Sequence, residues 1–381
     1  MNQVNGLKIE INQHRYMDNK LYVSIGLHAG FAYKEYVSLT DPTRRIKVNQ
    51  ASANVFMEYM RLAAMKQLGK TLRVNTTTNA SVLTFLTTAS AFDRDIHQVM
   101  ELVYGHEMDE EVFAEAKINC EMNFKQNYKD IAFRAYTKMI EFSDKRKDFH
   151  FHHLTRDIQA IELADIKHFM ELFVNFPNTV LLINGNTDKI TEADFFHQLK
   201  ETQKPGEVIV PSPHMAGMQP MEDQHLIAVD KELYSVGAMH FDFDPQVVPV
   251  HDQFALLQLI GHCLFKRDFA VSIDNFDASI QYQEHPLLEY KNQLSLSLTQ
   301  GTVKEACLSI QEEVEYLLVE KPYQFNQLFL SLYVNGIDLI KYYVTIKTYQ
   351  PEFIKKIMKQ HYKAISECHM VLEQGAKVNY V

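Results

Sequence analysis

Asn54-Val55-Phe56-Met57-Glu58-Tyr59-Met60 lies inside a run from Val48 to Leu68 that is rich in Ala, Met, Leu and Gln and free of proline. That composition predicts a helix, and Gly69 stands where its C-terminal cap belongs. On a helix, positions 55, 58 and 59 share one face, because residues three and four apart are neighbours. Histidines at 55 and 59 could hold a metal ion there, with Glu58 taking a proton from its bound water. This chain keeps the Glu and carries Val55 and Tyr59 at the two ligand positions. Whether the stretch is an ordinary helix or an altered active site is decided by what surrounds it.

The chain has 381 residues, enough for two or three domains and a sizeable core. It is 46% hydrophobic and 23% charged, an ordinary globular balance. No apolar run approaches the ~18 residues of a membrane span, and no secretory signal is visible at the N-terminus. A formal net charge of −10 argues against nucleic-acid or anionic-membrane binding. Cys120, Cys263, Cys307 and Cys368 form no CxxC pair and read as reduced residues of a cytoplasmic protein.

Leu7–Ile11 and Leu21–Leu27 read as two antiparallel strands, and 29–45 as a loop turning at Thr40-Asp41-Pro42. After the opening helix, 72–78 and 81–89 form a second strand pair. Helices are expected over 93–104, from Asp109 to about Phe142, over 161–174 and over 191–199, with a buried strand at Thr179–Ile183. His150, His152 and His153 fall in a loop or strand. No carboxylate or cysteine follows at a recognised metal-ligand spacing, so they read as a His-rich surface segment rather than a metal site. His262, beside Cys263, reads as a core or cleft-wall residue.

Residues 201–223 hold Pro205, Gly206, Pro211, Pro213, Gly217 and Pro220 and read as a linker between domains at 1–200 and 224–381. The second half repeats the first. Strands are expected over 226–230, 234–243, 272–283 and 292–300, and helices over 252–265, 304–318 and 324–343. Asp165-Ile166-Lys167 with Met170, followed by Val180 to Gly185, is echoed by Phe353-Ile354-Lys355 with Met358, followed by Met370 to Gly375. A helix feeding a short apolar strand that ends in Gly occurs in both halves, which implies internal duplication. The expected fold is α+β: two tandem homologous domains, each a mostly antiparallel sheet with helices packed on one face.

Taken in order, these segments resemble the pitrilysin/insulinase family of inverted-zincin metallopeptidases over nearly the whole chain. Ser24-Ile25-Gly26 through Ala29-Gly30-Phe31-Ala32-Tyr33-Lys34-Glu35 is similar to the strand and turn before the active helix. Asn54 to Met60 falls on the family's His-x-x-Glu-His segment, Gly69 to Val74 on its following strand, and Glu121 on its third ligand position. The resemblance implies the two-domain fold of mitochondrial processing peptidase and LuxS-like proteins. The departures matter as much: Val55 and Tyr59 replace both histidines, Arg73 and Val74 replace an Asn-Ala pair, and Val271 replaces a substrate-holding Tyr, with Arg267 near the accompanying Arg. Glu58 then reads as an ordinary helical carboxylate, as does Glu121.

The resemblance therefore implies a non-catalytic subunit with no cofactor of its own. Zinc would sit in a homologous catalytic partner, and the two chains would close around a peptide, such as a bacteriocin precursor or its leader. The strand at Arg73, Val74, Asn75, Thr76, Thr77 and Thr78 would pair with that peptide through its main chain, with Arg267 as a further contact. The alternative is a stand-alone peptide-binding or scaffold protein of the same fold.

Overall fold

A computed structural model describes residues 2–14, 17–105, 107–135, 137, 151–188, 204–212, 224–228, 233–244, 246–265, 269–273, 278–283 and 298–371. The chain divides into two compact units. One comprises residues 1–123, 154–215 and 317–335; the other comprises 124–153, 216–316 and 336–381. Each unit thus includes a segment from the other half of the sequence.

The first unit begins with strands β1 (Asn2–Val4), β2 (Leu7–Gln13), β3 (Lys20–Leu27), β4 (Glu35–Ser38) and β5 (Arg45–Lys47). Helix α1 (Ser52–Ala63) follows and loosens into a π-helical turn over Ala64–Leu68. Gly69 ends it with φ of 62°, a left-handed conformation that costs a Cβ-free residue little, as the sequence predicts. Then come β6 (Arg73–Thr76), β7 (Ser81–Thr88), α2 (Phe92–Gly105), α3 (Glu110–Asn127), α4 (Phe151–Ala160), α5 (Leu163–Phe173), β8 (Thr179–Gly185) and β9 (Ile209–Pro211).

Six strands form one sheet in the order β1-β2-β8-β3-β7-β6. β6 and β7 pair antiparallel as expected. β2 and β3 do not pair with each other. β8 enters between them, parallel to β2 and antiparallel to β3, a non-local pairing that the spacing of the two N-terminal runs does not reveal. All seven residues of β8 are buried, and so are Leu21 and Val23 through Leu27 of β3. Continuous burial of a strand means that both faces of the sheet are covered.

On one face, Leu21, Val23, Ile25, Leu83 and Phe85 are buried, α1 and α2 pack on β7, α5 packs on α1, and Thr87 donates a hydrogen bond to Asp95 of α2 (2.7 Å). The other face is closed by a helix from the second half of the sequence, Pro322–Tyr333. Its Asn326, completely buried, donates to Ser24 Oγ (2.9 Å) and to the Tyr22 carbonyl (3.1 Å) and accepts from Asn184 Nδ2 (2.9 Å). Ser24 and Thr84 bond side chain to side chain beside it (2.8 Å). The helices expected on one face are present, and this one adds a second layer.

A small sheet has the order β5-β4-β9. Residues 29–45, expected to be a loop, therefore contain β4. The stretch 201–223, expected as a linker, contains β9, which pairs with β4. Proline removes only a donor, so Pro211 at the end of an edge strand is compatible with pairing. The Asn178 amide fixes this return by donating to the Glu207 carbonyl (2.6 Å) and accepting from Ile209 N (3.0 Å).

The second unit contains β10 (Gln224–Ala228), β11 (Leu233–Phe241), α6 (Val250–Phe265), β12 (Phe269–Ile273) and β13 (Ala278–Gln283), followed by α7 (Gln300–Glu320). α8 is the Pro322–Tyr333 helix already described; α9 (Leu339–Thr345), α10 (Pro351–His361) and β14 (Tyr362–Val371) are the last of the described elements. Its sheet runs β10-β14-β11-β13-β12, with β10 and β14 parallel and the rest antiparallel. This matches β2-β8-β3-β7-β6 strand for strand, so the duplication visible at the two chain endings extends to the whole sheet.

Four further differences from the sequence reading have local causes. α3 stops at Asn127, and Asp130 Oδ1 accepts from Ala132 N (2.7 Å) to start a new turn. The expected helix over 324–343 breaks after Tyr333 at Gly336, whose φ is 81°. The expected strand over 272–283 is the two strands β12 and β13. Residues 151–160, the neighbourhood of His152 and His153, are helical. The helix expected over 191–199 lies outside the described residues, as do 292–297; the last residue of that expected strand, Gln300, begins α7.

Candidate functional site

α1 is buried nearly all round: of its residues only Asn54 and Arg61 are not buried. Glu58 is carried into that environment at 7% exposure, where a carboxylate needs a counter-charge and hydrogen bonds. Both are supplied locally. Arg61, one turn on, grips it with two bonds, Nε to Oε2 at 2.7 Å and Nη2 to Oε1 at 2.6 Å. From α3, Asn119 Nδ2 donates to the same Oε1 at 2.9 Å. The Glu58 bond holds Arg61 still more firmly in its charged form. A carboxylate committed in this way is a structural ion pair rather than a base with a free lone pair for water.

The two flanking positions are equally committed. Val55 and Tyr59 are both completely buried. The Tyr59 hydroxyl accepts from the backbone N–H of Asp109 (2.9 Å), just before α3 begins, and burial pushes its pKa up, so it stays protonated. Glu121 is half-buried and accepts from Gln159 Nε2 of α4 (2.6 Å). Cys120 turns to the Asn54 carbonyl (3.5 Å), and burial pushes its thiol up to about 12, which leaves it unreactive. Zinc of the inverted-zincin type does not fit this donor set: valine offers no ligand atom, Tyr59 is a protonated acceptor, and Glu58 is neutralised by Arg61. Among the described residues, no three His, Cys, Asp or Glu side chains are grouped to hold a metal ion. His150 and Arg267 lie outside the described residues.

The residues from Arg73 to Thr78, expected to contact a peptide, fall on a strand and a turn. β6 is the outermost strand of its sheet and covers Arg73, Val74, Asn75 and Thr76. Thr77 and Thr78 belong to the turn into β7. Their carbonyls already accept from Phe31 N (3.1 Å) and Ala32 N (2.9 Å). The 29–32 loop passes so close that a Cβ on Gly30 would stand 2.4 Å from Asn79 N, which explains the glycine there. The Arg73 guanidinium lies 3.9 Å over the Tyr323 ring, and Tyr323 in turn packs edge-on against Tyr22.

Arg61, Asn119 and Tyr323 were not among the residues singled out from the sequence. Only Arg61 leaves a local trace, a Glu and an Arg three apart on one helix.

The duplicated α+β units with this strand order share their fold with solved structures of M16-like peptidases. An M16-like peptidase from Alicyclobacillus acidocaldarius matches with a TM-score of 0.72 at 13% identity, over 98% of this chain and 97% of its own. An inactive domain of an M16 peptidase from Pseudomonas fluorescens matches at 0.65 and 12% identity, over 97% and 96%. A chain of complex III2 from Candida albicans matches at 0.69 and 11% identity, over 99% and 97%. At such identities the likeness concerns the fold. No protein-family model matches the sequence, and no curated protein is detectably similar to it in sequence.

Proposed function

We propose that this chain is the non-catalytic subunit of a two-chain zinc peptidase. Its part is to close a chamber and hold an extended peptide for a homologous partner that carries the intact His-x-x-Glu-His helix and the zinc. The observation that carries the reading is the state of Glu58: on an M16 peptidase fold, the carboxylate at the catalytic position is bound by Arg61 and Asn119 between a buried Val and a buried Tyr. Such a chain contributes binding and orientation to catalysis rather than chemistry. The peptide would add to the outer edge of β6, from Arg73 to Thr76, since main-chain pairing does not depend on the altered side chains. A precursor or leader peptide, such as that of a bacteriocin, in the cytoplasm is the substrate this reading favours. No described helix is long and apolar enough to cross a membrane.

The test is co-expression with candidate partners, followed by metal analysis and peptide cleavage by the complex and by each chain. Alone, this chain is expected to hold no stoichiometric zinc and to cleave nothing; with its partner, cleavage appears and zinc is found in the partner. One tightly bound zinc per chain together with peptidase activity of the chain alone would sink the reading. The likeness to a chain of complex III2 favours a second reading, a scaffold with no peptidase partner. It predicts co-purification with a large assembly that lacks any intact His-x-x-Glu-His chain.

A further inference from the structure

α3 poses a physical problem. Of its 18 residues only Val112 and Ala116 are buried, while Ile118 and Met122 are more than half exposed. Apolar burial of that size does not fix a helix of five turns. What fastens it along α1 is a series of polar bonds. The Asp109 N–H goes to Tyr59 Oη (2.9 Å), Asn119 Nδ2 to Glu58 Oε1 (2.9 Å), Cys120 Sγ to the Asn54 carbonyl (3.5 Å), and exposed Lys66 to Glu115 (2.7 Å). The exposed Lys66–Glu115 pair adds little. The Asn119 bond depends on where the Glu58 carboxylate stands and on its charge being balanced.

We propose that Arg61 is the positioning residue of the α1–α3 junction: its guanidinium supplies, at Glu58, the positive charge a metal ion would otherwise bring, and so holds α3 in place without metal. Arg61 acts through Glu58. Its fork fixes both carboxylate oxygens and leaves Oε1 directed to Asn119 as well. Without the guanidinium, Glu58 would be a nearly buried anion with one neutral donor, and it would turn toward water or recruit it, loosening α3 against α1 while its bonds to Gln159 and the Ile161 carbonyl remain. With both charges gone, a neutral acceptor could still take the Asn119 bond. The charge balance, rather than the arginine as such, is therefore what matters. This inference stands apart from the peptide-processing reading, and either can fail without the other.

Hydrogen exchange on the full chain tests it. Arg61→Met is expected to speed exchange of the amides over 110–123 by about tenfold, leaving those of β3 and β7 unchanged. The double variant Glu58→Gln/Arg61→Met is expected to return to within about threefold of wild type, a recovery that lost packing alone cannot produce. Equimolar zinc or a chelator should leave α3 exchange in the wild type unaltered. If Arg61→Met does not fold, Asn119→Leu reads the same junction from the α3 side and should speed α3 exchange alone. Wild-type exchange rates over α3 in Arg61→Met or in Asn119→Leu, a double variant no slower than the single, or slowing by zinc would each overturn the proposal.

Discussion

Replacing Asn326 with Ala is the most searching test of how α8 is held to the first unit's sheet. The side chain is completely buried and makes three bonds, donating to Ser24 Oγ and the Tyr22 carbonyl and accepting from Asn184 Nδ2. Ser24 keeps its bond to Thr84, so its loss is small. Asn184 is left worst: its Oδ1 has no partner among the described residues, and the substitution strands its Nδ2 as well. Lost bonds at about 0.5–1.5 kcal/mol each, with one newly unpaired buried amide at about 1–3 kcal/mol, place the cost near 3–4 kcal/mol, allowing for the shared partners. Urea unfolding of the variant against wild type measures this, with the slope checked for constancy. Limited proteolysis should show cleavage within 317–335 before other sites. A cost below about 0.5 kcal/mol, with no new cleavage there, would refute the claim that this polar cluster seats the helix.

Three other outcomes follow from the same geometry. Burial by itself pushes the Asp95 carboxyl up, but bonds from Lys70, Thr87 and Arg94 outweigh it and hold its pKa below the usual 3.8. The associated stability is therefore present above that value and lost as pH falls below it; Asp95→Asn should flatten the decline in urea midpoint between about pH 5 and 3 while weakening the protein at neutral pH. Arg73→Ala removes the guanidinium from the Tyr323 ring and should cost about 0.5–1 kcal/mol in thermal unfolding; if the peptide lies along β6, affinity for it should fall as well. A fragment of residues 1–215 lacks α8, and the first unit's sheet keeps one face bare. Near-ultraviolet circular dichroism and dye binding should show it loosely packed, and native-like spectra from that fragment would contradict the assignment of α8 to this unit.

The legible parts of the fold are those written in short-range patterns. α1 and its Gly69 cap, the β6–β7 pair and the strand at Thr179–Ile183 are all local in sequence, and all appear in the structure; of the second, duplicated ending, the strand runs Tyr362–Val371, and 372–375 lie outside the described residues. The place of β8 between β2 and β3 was hidden because it pairs residues some 170 positions apart, and nothing local in Leu7–Ile11 records its neighbour. The helix at 322–333 is legible as part of the expected helix over 324–343, but its seat on the first unit's sheet is not, for the same reason, although in β3 Ser24 and Gly26 alternate with large apolar residues in a way that suits a closely packed helix. At the site, the absence of histidine at 55 and 59 was plain in the sequence. The fate of Glu58 was not, since Asn119 reaches it from 61 residues away.

The strand order and the origin of α8 together impose a schedule on synthesis. β8 is made by residue 185, so the first unit's sheet can assemble soon afterwards. Asn326 is still about 140 residues behind; at 5–20 residues per second it leaves the ribosome roughly 7–28 s later. Throughout that interval one side of the sheet faces water or other chains. That side carries Ser24, Thr84 and Asn184 among its apolar residues. Those three hydrogen-bonding groups make the waiting surface wettable, and the later capture of Ser24 and Asn184 by Asn326, with Thr84 bonded to Ser24 beside them, turns the same groups into the seat of the incoming helix.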